Sequence, residues 1–302
     1  MHEEQGPEKQ GSETHGPAYR DHWYDSADGL RLYARDYPRP GGDALPVLCM
    51  HGLSRNSADF AGLAAHLAPG RRVVVAEQRG RGRSAWDPTP ANYTPLTYVQ
   101  DMFLLLDELG LDRVALIGTS MGGLMSFLMA AQAPERFAGM VINDIGPEID
   151  PAGLARIQRY VGKNPPVTSW DEAVAKTREI NGVAFPDYSD DDWLAFTRNL
   201  YVEQDGVPVL AYDPAIAEGM ADPEETGAVP PDLWPVFDAA AAVPMLVIRG
   251  ELSDILAADC VTRMGERDPD LEAVEVPRVG HAPMLTEPEA LAAIDAFLAR
   301  LA

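Results

Sequence analysis

Two cysteines in 302 residues, Cys49 and Cys260, are too few for a disulfide framework. Cys49 falls in the apolar run LPVLCM, the setting of a buried, reduced thiol. Cationic side chains are also short: 24 Lys and Arg stand against 47 Asp and Glu, a formal charge of −23. Nucleic acids and anionic membrane surfaces are held by clustered cations, so neither is an expected partner. No apolar run reaches the ~18 residues needed to span a bilayer. The opening MHEEQGPEKQGSETHGPAYR lacks the apolar segment of a secretory signal. These absences lead to the expectation of a soluble cytoplasmic protein. Residues 1–18 read as a disordered tail, with His2 and His15 merely solvated in it. Internal repeats and long low-complexity tracts are missing as well.

Short apolar runs alternate with helical segments. LPVLCM, RRVVVAE, RVALIG and FAGMVINDIG read as buried parallel strands. Between them, SADFAGLAAHLAPG, TPLTYVQDMFLLLDELG and SMGGLMSFLMAAQAP have helical spacing. Such alternation predicts an α/β fold, a parallel sheet with helices on both faces. The pattern stops near Gly146 and resumes at VPMLVIRGELSD. Residues 19–146 and 236–302 are therefore expected to form one α/β core, interrupted by a mostly helical insertion over 147–235 with no clear buried strand.

The chemistry centres on LIGTSMGG, residues 116–123. Ser120 ends an apolar strand and opens a helix, with Gly118 and Gly122 on either side. Small residues at those places let the backbone turn sharply, as in a G-x-S-x-G nucleophile elbow. A nucleophilic serine needs a base and a group to orient that base. Of six histidines, only His281 follows the last expected strand, in a loop between Gly280 and Pro283 at the carboxyl edge of the sheet. Asp254, just after the strand MLVIRG, completes the order Ser120, Asp254, His281. Asp144, which follows MVIN at the same edge, is the alternative acid. The run RGRGRS lacks the third glycine and context of a dinucleotide fingerprint. DYSDDD lacks the spacing of a calcium loop and reads as a helix start capped by Ser189 or Asp190.

HGLS at 51–54, RGRGRS at 79–84, GTSMGG at 118–123, RGELSD at 249–254 and GH at 280–281 occur in one order. Together they resemble the α/β-hydrolase superfamily over residues ~19–302. The resemblance implies a mostly parallel eight-stranded sheet with helices on both faces and a helical cap inserted after the sixth strand. It also implies an oxyanion hole made by the backbone N–H groups of Leu53 and Met121. It calls for no metal and no cofactor.

Serine in the nucleophile slot separates the chain from relatives that use aspartate there, the haloalkane dehalogenase-like and epoxide hydrolase-like enzymes. The reading is a carboxylic-ester hydrolase acting through an acyl-enzyme on a small-molecule ester. Enol-lactone or C–C bond hydrolysis, or a slow-turnover ligand receptor, are the alternatives. The cap carries Tyr160, Trp170, Phe185, Tyr188, Trp193, Phe196, Tyr201 and Tyr212, of which two or three are expected to line the pocket. With 17 acidic and 6 basic residues over 147–235, a balance of −11, the cap favours neutral, small to medium esters over anionic ones. Arg55 is the one cation near the HGL loop.

Overall fold

The computed structural model describes residues 19–39, 41, 44–220 and 232–301. The expected tail, residues 1–18, lies outside them. The strands are β1 (Arg20–Asp25), β2 (Arg31–Tyr37), β3 (Val47–Met50), β4 (Val73–Glu77), β5 (Val114–Thr119), β6 (Phe137–Asn143), β7 (Tyr201–Gln204), β8 (Val207–Leu210), β9 (Met245–Gly250) and β10 (Glu272–Val276). Eight form one sheet in the order β1-β2-β4-β3-β5-β6-β9-β10. β2 runs antiparallel to β1 and β4, and the remaining pairings are parallel.

The helices are α1 (Ala61–Leu67), α2 (Pro95–Glu108), α3 (Met121–Gln132), α4 (Pro151–Tyr160), α5 (Trp170–Asn181), α6 (Asp190–Leu200), α7 (Trp234–Ala240), α8 (Ala258–Arg267) and α9 (Pro288–Leu298). Strand periodicity divides the core in two. Leu48, Met50, Val74 and Leu116 join the layer under α2, α3, α7 and α8. Val47, Cys49, Val75 and Ile117 join the layer under α1 and α9. Each such side chain, removed fully from water, contributes roughly 1.5–3 kcal/mol. Burial on both faces is why these strands read as continuous apolar runs. It also pushes the Cys49 thiol far up, keeping it protonated.

Among the described residues no helix is long and apolar enough to cross a membrane. Both cysteines are buried and free.

The insertion follows β6, the sixth strand of the main sheet, and departs from expectation in two ways. Beside its helices it carries a hairpin that the sequence reading did not place: β7 and β8 pair antiparallel and close at Asp205-Gly206, both with positive φ. The core also resumes earlier than residue 236, because α7 packs on α3, with Phe127 and Phe237 edge to face at 5.9 Å. Ser189 caps α6 in a reciprocal box with Asp192, so the acidic run 190–192 is a helix start.

Candidate active site

β5 delivers Ser120 into a turn at φ 52 and ψ −114, and α3 begins at the next residue. This left-handed conformation is rare for a residue with a β-carbon and is held in place by its surroundings. The Ser120 N–H donates to Asn143 O, and Ser120 O accepts from the Gly123 and Leu124 amides. A β-carbon at Gly118 would strike the Gly122 carbonyl, and one at Gly122 would strike the Met50 carbonyl. The two glycines are therefore fixed by close backbone approach.

The Ser120 hydroxyl is 2.9 Å from His281 Nε2. His281 Nδ1 is 2.8 Å from Asp144 Oδ2, not from Asp254. The acid chosen from chain order is thus corrected by the structure. Asp144 is fully buried in a left-handed turn at the end of β6, with φ 56. Its carboxylate accepts from the Gly250 amide at 2.8 Å and from the Ser253 hydroxyl at 2.6 Å. With the His281 contact, three partners fix the orientation of this carboxylate.

Asp254 is instead engaged by the cap: Arg156 Nε and Nη2 reach its two oxygens at 2.5 and 2.9 Å. Burial pulls this carboxyl up, but the hydrogen bonds and charge of Arg156 outweigh it and hold the pKa below the ordinary value. Gly153 permits the approach, since a β-carbon there would strike the Asp254 carbonyl. The pair ties α4 to the loop after β9.

The His281 loop is secured from both sides. Asn143 Nδ2 donates to Pro283 O at 2.8 Å and to Thr119 Oγ1 at 3.0 Å. The Gly280 amide donates to Ala184 O of the cap at 2.7 Å.

The Leu53 and Met121 amides have no protein acceptor among the described residues. Met121 opens α3, where a free N–H is expected. The Leu53 N–H belongs to the Gly52–Leu53 peptide, whose carbonyl is held by His51 Nδ1 at 2.8 Å and by the Arg55 amide at 3.2 Å. In a trans peptide N–H and C=O point in opposite directions, so anchoring the carbonyl aims the amide. Burial pulls the pKa of His51 down to about 3, the nearby Arg81 and Arg55 charges lower it too, and the Gly52 carbonyl opposes them. The ring is therefore neutral: it donates from Nδ1 and accepts the Gln78 amide at Nε2.

The next carbonyl, Leu53 O, accepts from Arg81 Nε at 2.8 Å. Arg81 is fully buried, bonds Arg79 O and the Tyr98 hydroxyl, and lies 3.9 Å from Met121 Sδ. Among the described residues it has no carboxylate in salt-bridge range. It touches both residues whose amides are free. The sequence signal for it was RGRGRS, one of the five ordered motifs, which gave no hint of this contact. Replacing Arg81 with Gln leaves the loop carbonyl weakly held. The expected result is a kcat lower by ten- to a hundredfold with KM within about threefold. Steady-state kinetics beside a melting curve checks it, and an unchanged kcat would contradict the positioning role.

Of the cap aromatics, Tyr160, Tyr201 and Tyr212 line the cavity above Ser120. Phe185, Tyr188, Trp193 and Phe196 pack on one another as a separate cluster. Arg55 also lines this cavity, but Asp59 accepts from the Nε and Nη2 edge of its guanidinium, at 2.5 and 3.0 Å, and the Phe196 ring centre lies 4.2 Å from its guanidinium carbon.

The sequence profile of the alpha/beta hydrolase fold matches residues 46–187. The 3-hydroxybutyrate-oligomer hydrolase of Cupriavidus necator is 32% identical over 274 residues, 88% of this chain and 93% of that protein. This chain belongs to the α/β-hydrolase family. A crystal structure of an alpha/beta hydrolase from Novosphingobium aromaticivorans is 44% identical, with TM-score 0.86 over 94% of this chain and 99% of that one. The 2-(acetamidomethylene)succinate hydrolase of Mesorhizobium japonicum is 27% identical over 262 residues, 86% of this chain and 90% of that protein. As a hydrolase of this family, the chain has its Ser120, His281 and Asp144 side chains joined in one hydrogen-bonded line at the carboxyl edge of the sheet.

Proposed function

We propose that this chain is a serine carboxylic-ester hydrolase acting through an acyl-enzyme on neutral, small to medium esters. The observation that carries the reading is the hydrogen-bonded line Asp144–His281–Ser120 beside two free backbone amides. His281 Nε2 takes the Ser120 proton as Oγ attacks the ester carbonyl. The tetrahedral oxyanion accepts from the Leu53 and Met121 amides. Asp144 keeps the Nδ1 proton in place and stabilises the imidazolium. The proton at Nε2 then passes to the departing alkoxide, which leaves as alcohol. Water repeats the sequence on the acyl-enzyme and releases the acid.

The preference for neutral esters is supported by the state of the cations. Arg55 is neutralised by Asp59 and Arg156 by Asp254, while Arg198 lies against the Trp170 ring and Arg159 bonds a carbonyl of its own helix. A substrate carboxylate would have to displace one of these partners or remain unpaired, at a cost of several kcal/mol if buried. A second reading, an ester or related bond in a carboxylated substrate, draws on the succinate in the name of the Mesorhizobium relative and on Arg55 lining the chamber.

The test compares kcat/KM for a neutral aryl ester and its carboxylated analogue at low and moderate salt. The neutral ester is expected to be at least tenfold faster. Added salt should remove only the part due to long-range repulsion. Preference for the anion would select the second reading, with Arg55 as the clamp. Substoichiometric turnover of every ester would instead indicate a receptor.

A further inference from the structure

Ser120 stands where two chambers of different lining meet, one aliphatic and one mixed. One, of about 190 Å³, is walled by Leu124, Ile145, Ile149, Leu154, Ile216 and Ile255, and Leu53 and Met121 border it. Its two phenols are engaged elsewhere. Tyr93 donates to Asp213 at 2.6 Å and accepts the Asp87 amide at 2.8 Å, while Tyr98 accepts from Arg81 at 2.8 Å. The other chamber, of about 100 Å³, is mixed: Arg55, Asp59, Asn164 and Asn181 share its walls with aliphatic residues such as Ile180 and Leu200. His281 borders only this second chamber.

That asymmetry assigns the two ends of the ester. The leaving oxygen must receive its proton from His281 Nε2, so the alcohol belongs on the His281 side. The acyl chain leaves the carbonyl carbon on the other side, towards the aliphatic walls. Resting on the esterase reading above, we infer that the Leu124–Ile145–Ile149–Leu154–Ile216–Ile255 chamber binds the acyl chain of esters of unsubstituted, medium-length carboxylic acids, and that the chamber bordered by His281 binds their alcohol.

The chamber has room for about six non-hydrogen atoms, taking ~30 Å³ for each by analogy with water. A hydroxyl on the acyl chain would be buried there among aliphatic side chains, which disfavours it. Butyryl esters should therefore exceed the matching 3-hydroxybutyryl esters by about tenfold or more in kcat/KM. This sets the chain apart from the substrate named for its Cupriavidus relative.

The experiment uses the full chain, acyl 4-nitrophenyl esters from acetyl to dodecanoyl, and a second series with one acyl group and alcohols of varied size. Wild type should peak near hexanoyl. Leu154→Trp, which intrudes on the apolar chamber from α4, should lower the hexanoyl-to-acetyl ratio at least tenfold and leave the ranking of alcohols in place. Ile180→Trp, which intrudes on the His281-side chamber from α5, should reorder the alcohols and keep the acyl ranking. Both sites are partly exposed, and the readouts are ratios within one variant, so a general loss of activity does not mimic them. Exchange of the two effects, a flat chain-length profile, or faster 3-hydroxybutyryl than butyryl hydrolysis overturns the assignment. The esterase reading itself survives each of these outcomes as long as Ser120 is acylated. If wild type cleaves no ester, that reading fails and this inference falls with it.

Discussion

Ser120→Ala is expected to lower kcat for ester hydrolysis by on the order of 10⁶ while the protein folds and melts as the parent does. The elbow makes the separation clean. Its backbone is held by the Asn143 carbonyl, the Gly123 and Leu124 amides, and the close approaches at Gly118 and Gly122, none of which needs the hydroxyl. The free amides of Leu53 and Met121 remain, so binding of an ester should change little. A kcat within tenfold of the parent would remove Ser120 from the chemistry.

Asp144→Asn should lower kcat by about 10⁴, the scale set by loss of the orienting acid in a serine–histidine–aspartate site. The carboxylate accepts from Gly250 on one oxygen and from Ser253 and His281 on the other. An amide has only one acceptor atom. Its NH₂ must face either the Gly250 N–H or the Ser253 and His281 donors, and both arrangements break contacts. With the NH₂ towards His281, Nδ1 must accept and the wrong tautomer is selected. Asp254→Asn should stay within about tenfold of the parent, since it loses a partly exposed pair with Arg156 and no contact to His281. Parallel pH–rate profiles of the two variants make the comparison. A larger loss in Asp254→Asn would return the acid to the later strand.

That His281 meets Asp144 and not Asp254 shows what a linear pattern does not hold. The Ser120 elbow was legible because two glycines, an apolar strand and a helix converge on eight residues. His281 was legible because the other histidines fell in the wrong places. Asp144 and Asp254 both follow apolar strands, and those strands, β6 and β9, are neighbours in the sheet. The two acids therefore reach the same edge within one strand spacing. The choice rests on the left-handed turn at Asp144, on the Gly250 amide and Ser253 hydroxyl that meet it, and on Arg156, nearly a hundred residues away in sequence, holding Asp254. None of these contacts is local in sequence. Ser253, next to Asp254, was a visible polar residue whose partner was not.

The main sheet was readable because burial on both faces leaves unbroken apolar runs. The cap was less so. Its hairpin has only four residues per strand, most of them exposed, and includes Pro208. The signal available was Asp205-Gly206, a dipeptide suited to a two-residue hairpin turn. Which cap aromatics meet the cavity was equally hidden, because Tyr160, Tyr201 and Tyr212 are brought together from three separate elements. Arg55 was visible as a cation near the HGL loop. Its neutralisation by Asp59, four residues on, is a pairing close in sequence.

The most direct test of the central claim is intact-protein and peptide mass spectrometry after treatment with an aryl phosphonate ester that mimics the tetrahedral intermediate. One adduct per chain, located on Ser120, absent in Ser120→Ala and slowed by orders of magnitude in Asp144→Asn but not in Asp254→Asn, is the predicted result. An adduct on another residue, or one that persists undiminished in Ser120→Ala, would contradict it.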